Sequence, residues 1–243
     1  NAACEPHVQD LCNMLNMMGA QIDGIGSNVL KIRGVERLNG CDFTIGADFM
    51  EVGSLIGLAV VTGSEIEIVD CQPNNMKMSK LVFGKLGIIW DNPNNNIIVP
   101  KHQELKVRQD LGGMIPKIDD SPWPGFPPDL MSIAIVTATQ VEGTVLFFEK
   151  MFESRMFFVD KLISMGANII LCDPHRAVVT GKTKLKGNEL TSPDIRAGMA
   201  LLIASLCAEG KSVIHNVNQI ERGYENLPER LKNLGAKIEV VET

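Results

Sequence analysis

A chain of 243 residues, 45% hydrophobic and 21% charged, is long and apolar enough for one large domain or two small ones. Its formal charge of −6, without any Lys/Arg run, speaks against a nucleic-acid partner and leaves any anion to a few placed arginines. No apolar run approaches the ~20 residues of a membrane-spanning helix and no signal peptide opens the chain, so a cytoplasmic protein is expected. Six scattered cysteines, none in a C-x-x-C pair, read as reduced and mostly buried thiols. The histidines lie far apart with no zinc spacing, and there is no Walker loop, nucleophile elbow or complete dinucleotide loop, so neither a metal nor a cofactor is expected.

The first predicted element is a helix. Val8, Leu11, Cys12, Leu15 and Met18 recur at helical spacing, Pro6 suits its first turn and Gly19 its C-terminal cap. Two short strands, Gln21–Asp23 and Val29–Ile32, follow. This is too little to form a core, so residues 1–45 are read as the trailing segment of a preceding N-terminal domain that is otherwise absent.

From residue 46 onward one unit restates itself. Asp48, Asp129 and Asp194 each precede a strongly apolar helical stretch, and each is expected to cap its helix. The stretches end near Gly63, Gly143 and Gly210, and β-rich runs follow at 65–69, 144–148 and 212–214. A second helix in each unit ends at a glycine suited to a left-handed C-cap, at Gly87, Gly166 and Gly235, as the first helix does at Gly19. The unit therefore reads helix, strand, connection, helix, strand, strand. Helices that are apolar all round must be buried. The predicted fold is α/β, an inside-out barrel of three repeats over residues 46–243 with central helices and outer sheets.

Three segments could carry chemistry. Four prolines between Pro122 and Pro128 give a stiff approach that delivers Asp129 to a helix start, where it could serve as an acid or base or simply as a cap. Glu153-Ser154-Arg155 and Glu221-Arg222-Gly223-Tyr224 occupy equivalent strand-to-helix connections in the second and third units. The first unit has Cys71-Gln72-Pro73 there, so the arginines are not required by the repeat. They could clamp a phosphate or carboxylate, or pair with the neighbouring glutamates at the surface. Asp194 and Arg196 repeat the acid-plus-arginine theme. An arginine in the first turn opposes the helix dipole and points to an anionic partner or to a contact with Asp194.

Asn1-Ala2-Ala3-Cys4-Glu5-Pro6, Pro127-Pro128-Asp129, Met151-Phe152-Glu153-Ser154-Arg155, Ser192-Pro193-Asp194-Ile195-Arg196 and Arg222-Gly223-Tyr224-Glu225, in that order, resemble the enolpyruvyl transferases that act on UDP-N-acetylglucosamine. The resemblance runs over nearly the whole chain, which would begin about two-fifths of the way along the family sequence. It implies two inside-out α/β barrels of three repeats each. It also implies transfer of the enolpyruvyl group of phosphoenolpyruvate to the 3′-hydroxyl of UDP-N-acetylglucosamine with release of phosphate, the first committed step of peptidoglycan synthesis. By the same resemblance Asp129 is the base that contacts the sugar hydroxyl, and Met151 touches the nucleotide sugar through its backbone. Arg155 and Arg222 then hold phosphoenolpyruvate, with Asp194 and Arg196 near the same cleft. The family's Lys-Asn pair and its loop with a reactive Cys or Asp have no counterpart here, so the chain alone is expected to be inactive. Gly46-Ala47-Asp48 departs from a usual Pro before the Asp, which puts only that cap in doubt. Two other readings are a transferase acting on shikimate 3-phosphate and a non-catalytic, free-standing ligand-binding barrel.

Overall fold

The computed structural model describes residues 1–241. Helix α1 (Pro6–Met17) starts with proline in its first turn and ends before Gly19, whose φ of +103° reverses the chain into an antiparallel hairpin of β1 (Gln21–Asp23) and β2 (Lys31–Arg33). Only Pro6 and Cys12 of α1 are buried. Leu11 of the predicted stripe is 52% exposed, and Ile32 and Ile45 are 67% and 79% exposed.

The first repeat comprises α2 (Phe49–Thr62), β3 (Ile66–Ile68), a short 3-10 turn at Pro73–Met76, α3 (Lys77–Lys85) and β4 (Ile97–Val99), with β3 and β4 antiparallel. The second is fullest. Strand β5 (Lys117–Asp119) leads to α4 (Met131–Ala138), β6 (Gly143–Phe148), α5 (Val159–Ser164), β7 (Ile169–Asp173) and β8 (Arg176–Gly181), in a sheet ordered β5-β6-β8-β7. The third runs β9 (Glu189–Thr191), α6 (Ile195–Cys207), β10 (Val213–His215), α7 (Asn218–Glu221) and α8 (Leu227–Asn233), with β9 and β10 parallel.

Helices α2, α4 and α6 pack on one another at the centre, as their composition requires. All eight residues of α4 are buried. Close approach depends on glycine: a Cβ at Gly57 would lie 2.6 Å from Ile133 Cγ2, and one at Gly53 2.7 Å from Leu130. The second helix of each repeat ends as expected in a left-handed glycine, with φ of +77° at Gly87, +100° at Gly166 and +97° at Gly235.

Some expectations are corrected. No strand follows Gly235 among the described residues, and the run after Gly87 makes only a single bridge between Asp91 and Ile98. A strand exists only where a neighbour supplies the ladder, and the sequence pattern does not reveal the neighbour. Of the cysteines only Cys12 and Cys71 are buried, while Cys172 is exposed because its strand position faces outward. The replacement of the usual Pro by Ala47 leaves the cap intact: Asp48 accepts from the N–H groups of Met50 (2.8 Å) and Glu51 (3.4 Å).

Candidate active site

The polyproline approach ends in a single 3-10 turn, Pro128–Leu130, that precedes α4. That extra turn changes the role of Asp129. Asp48 and Asp194 sit in extended backbone just before their helices and accept from the first free N–H groups, at 2.8 and 2.9 Å for Asp194. Asp129 lies inside the 3-10 turn, and α4 has no side-chain cap. The expectation that all three aspartates cap helices therefore fails at Asp129, and its carboxylate is free for other partners.

Those partners are two arginines from distant parts of the chain. Arg155 Nη2 donates to Asp129 Oδ1 at 3.2 Å, and Arg196 Nε donates to Oδ2 at 3.0 Å. Arg155 is brought round by Ser154, which adopts a left-handed φ of +67°, and its guanidinium stacks 4.9 Å from the Phe152 ring. Neither Arg155 nor Arg222 pairs with the glutamate beside it in sequence. Arg196 rises from the first turn of α6, so Asp129 is the anion that offsets its unfavourable place in the dipole. The contact with Asp194 is made by the Arg196 backbone N–H instead.

Behind this bridge, Arg196 Nη1 donates to Tyr224 Oη at 3.3 Å, and Tyr224 Oη lies 2.9 Å from Ser54 Oγ in the core. Burial opposes the charge on Arg196, but Tyr224 and Asp129 outweigh it and raise its pKa, so this guanidinium stays charged. Burial likewise pushes the Tyr224 phenol up, while hydrogen bonds from Ser54 and Arg196 pull it part of the way back. Ser132 Oγ donates to the Arg196 carbonyl at 3.1 Å and ties α4 to α6 here.

The groups converge on a small cleft of about 10 Å³, lined chiefly by Pro128, Ser132, Glu149, Arg155, Asp194 and Arg196. That is room for about one water. Of the sequence-predicted residues, Arg155, Asp194 and Arg196 line it, and Asp129 adjoins it through its ion pairs with Arg155 and Arg196. Met151 lies beside them with its N–H 3.1 Å from Glu149 Oε1 and 3.3 Å from Asp120 Oδ2. Arg222 does not line the cleft: its Nη1 donates to Gln219 at the surface at 3.1 Å. Tyr224, from the same motif, takes the inner place. Among the described residues no cluster of His, Cys, Asp and Glu is suited to a metal ion.

The sequence reading missed Glu149, Asp120, Ser132 and Ser54. A signal existed for one of them. Val145 and Phe147 are the inward residues of β6, and the same two-residue period carries Glu149 inward.

Comparison with known proteins sets this geometry in context. The profile of the EPSP synthase (3-phosphoshikimate 1-carboxyvinyltransferase) family matches residues 1–231. The UDP-N-acetylglucosamine 1-carboxyvinyltransferase of Borreliella burgdorferi is 67% identical over all 243 residues, and that of Treponema denticola 64% identical over 242. The chain spans 57% of the length of each. Among solved structures, the enolpyruvyl transferase NikO from Streptomyces tendae superposes with a TM-score of 0.82 at 24% identity, covering 97% of this chain and 54% of NikO. EPSP synthase from Acinetobacter baumannii gives 0.71 at 18% identity, covering 94% of this chain and 54% of its own. At these identities the structural likeness speaks for the fold alone.

Proposed function

We propose that this chain, which belongs to the EPSP synthase family, supplies part of the active site of an enzyme that moves the enolpyruvyl group of phosphoenolpyruvate onto the 3′-hydroxyl of UDP-N-acetylglucosamine. The observation that carries the proposal is the Asp129 carboxylate held between Arg155 and Arg196, the two arginines that line the cleft. The names of relatives 54–67% identical to this chain support UDP-N-acetylglucosamine as acceptor over shikimate 3-phosphate. Residues 46–243 are assigned to the domain of three repeats, and residues 1–45 to the edge of a second domain that closes the cleft. The enzyme would serve peptidoglycan synthesis in the cytoplasm.

The chemistry follows from the residue types. Transfer requires the acceptor hydroxyl to lose its proton as its oxygen bonds to C2 of phosphoenolpyruvate while C3 takes a proton. Phosphate then leaves and C3 gives the proton back. A carboxylate has about four lone-pair sites, so Asp129 can accept from both arginines and still take the hydroxyl proton. Arg155 and Arg196 are cationic forks for the carboxylate and phosphate of the donor. Arg222 would join them from the rim, and the Met151 backbone would meet the nucleotide sugar.

The acceptor can be tested on the gene product that carries this chain by following phosphate release from phosphoenolpyruvate. Release with UDP-N-acetylglucosamine and none with shikimate 3-phosphate is expected. The reverse preference overturns the assignment, and ligand binding without release favours a non-catalytic barrel. The 243-residue chain by itself is expected to release none.

A further inference from the structure

Two carboxylates outside the set considered so far meet behind the cleft. Glu149 and Asp120 are both fully buried and both reach the N–H of Met151. Each oxygen of Asp120 has a donor: Oδ1 accepts from the Lys150 N–H at 2.6 Å and Oδ2 from Met151 at 3.3 Å. In Glu149 only one oxygen has. Its Oε1 accepts from Met151 and Phe152, each at 3.1 Å, while Oε2 is buried without a hydrogen-bond partner among the described residues. Glu149 also lines the cleft with Arg155 and Arg196.

We propose that Glu149 is a positioning residue of this site, with Oε1 holding the Met151–Phe152 turn that delivers Arg155 and Oε2 bearing a proton that it donates to an anionic oxygen of the ligand in the cleft. Two buried carboxylates that converge on one amide cannot both be ionised cheaply. The proton belongs on the oxygen without an N–H donor, which is Glu149 Oε2. An ionised Glu149 would repel a phosphate or carboxylate oxygen entering the cleft between Arg155 and Arg196, whereas the acid adds a neutral donor to two cationic ones. Burial, and then Asp120, push the Glu149 carboxyl up to about 7, against the pull of the Met151 and Phe152 N–H groups. The other charged groups facing it are Arg155, Arg196 and Asp194 across the cleft. His175 is held through Nδ1 at the Glu149 carbonyl, 3.0 Å away, and Lys150 is turned away onto Asp119 at 2.8 Å.

The identity of the ligand as phosphoenolpyruvate rests on the proposed function, so the test has one arm without ligand. In the ligand-free chain, the amide NMR signals of Met151 and Phe152 should titrate together with a midpoint near neutrality in the wild type and not in Glu149→Gln. Titration in the ordinary carboxylate range, or an unchanged titration in Glu149→Gln, overturns the proposal. In the gene product carrying the chain, the KM for phosphoenolpyruvate should rise between pH 7 and 9. Glu149→Leu should raise that KM about tenfold with a smaller effect on kcat, the loss of one hydrogen bond to a charged group. Glu149→Gln keeps an acceptor for the turn and an N–H donor for the cleft, so it should recover most of the loss and flatten the pH dependence. A Glu149→Gln variant no better than Glu149→Leu overturns the donor role. If the wild type transfers nothing while the amides titrate as stated, the functional reading falls and the placement of Glu149 stands.

Discussion

At the scale of single residues, the site turns on where each aspartate falls relative to its helix. Asp48 and Asp194 stand one residue before a helix and spend their oxygens on backbone N–H groups. Asp129 stands inside an extra 3-10 turn and is left for Arg155 and Arg196. Replacing Asp194 by Ala should therefore cost about 1 kcal/mol of stability through the lost cap. Asp129→Ala should cost a similar or larger amount, about 1–3 kcal/mol, by a different route: the half-buried Arg196 loses its counter-ion. Denaturant melts of Asp129→Ala and Asp129→Ala/Arg196→Met separate the two routes, because the second change should restore stability only if the stranded charge was the cause.

Glu149 gives a prediction with a definite sign. Its folded pKa is raised from an ordinary 4.5 to about 7, so between these values the folded state binds more protons than the unfolded one. Its contribution is fully present below about pH 4.5 and is lost as pH rises through 7. Glu149→Gln should thus gain stability relative to wild type on going from pH 5 to pH 8, on the order of 2 kcal/mol. A wild type and variant whose difference in melting midpoint stays constant across that range would contradict the acid pair.

At the scale of elements, the central helices were legible because nothing else explains a run such as Met199–Ala204 with no polar face. The left-handed glycines were legible for a similar local reason: Gly19, Gly87, Gly166 and Gly235 each follow a helical stretch, and glycine adopts positive φ without a Cβ penalty. The Asp129 turn was not legible, since a 3-10 turn and a helix start share the same proline and aspartate signals. The inward pair Asp120 and Glu149 was passed over because each looks like a solvated charge in isolation, although the two-residue alternation from Ile118 and from Phe147 turns both inward just past the strand ends. Packing at the helix centre is tight enough to test. Gly57→Ala places a methyl 2.6 Å from Ile133 Cγ2 and should destabilise the fold by about 1–3 kcal/mol. Ile133→Val in the same chain should recover part of that loss.

At the scale of the whole molecule, the first 45 residues bury little of their apolar surface compared with the three central helices. Leu11, Met17, Val29, Ile32 and Ile45 are each more than half exposed, whereas α2, α4 and α6 are buried over most of their length. One helix and two short strands, Gln21–Asp23 and Val29–Ile32, are expected from the sequence to be too little for a core of their own. If residues 1–45 edge a second domain, as proposed, these side chains are where it would pack. Ile32→Lys should accordingly leave the thermal stability of this chain within about 0.5 kcal/mol of wild type. Phosphate release by the gene product that carries this chain should be more sensitive to it.

The central claim is that Asp129, held by Arg155 and Arg196, takes the acceptor's proton, and the most direct test is single-turnover phosphate release by the gene product carrying Asp129→Asn. Asparagine keeps the size of the side chain and one acceptor oxygen but cannot serve as base. The account predicts a fall in rate of roughly 10³-fold, with the affinity for UDP-N-acetylglucosamine changed less than tenfold. A variant that turns over within a few-fold of wild type would contradict it, and would leave Asp129 as the counter-ion of two arginines and nothing more.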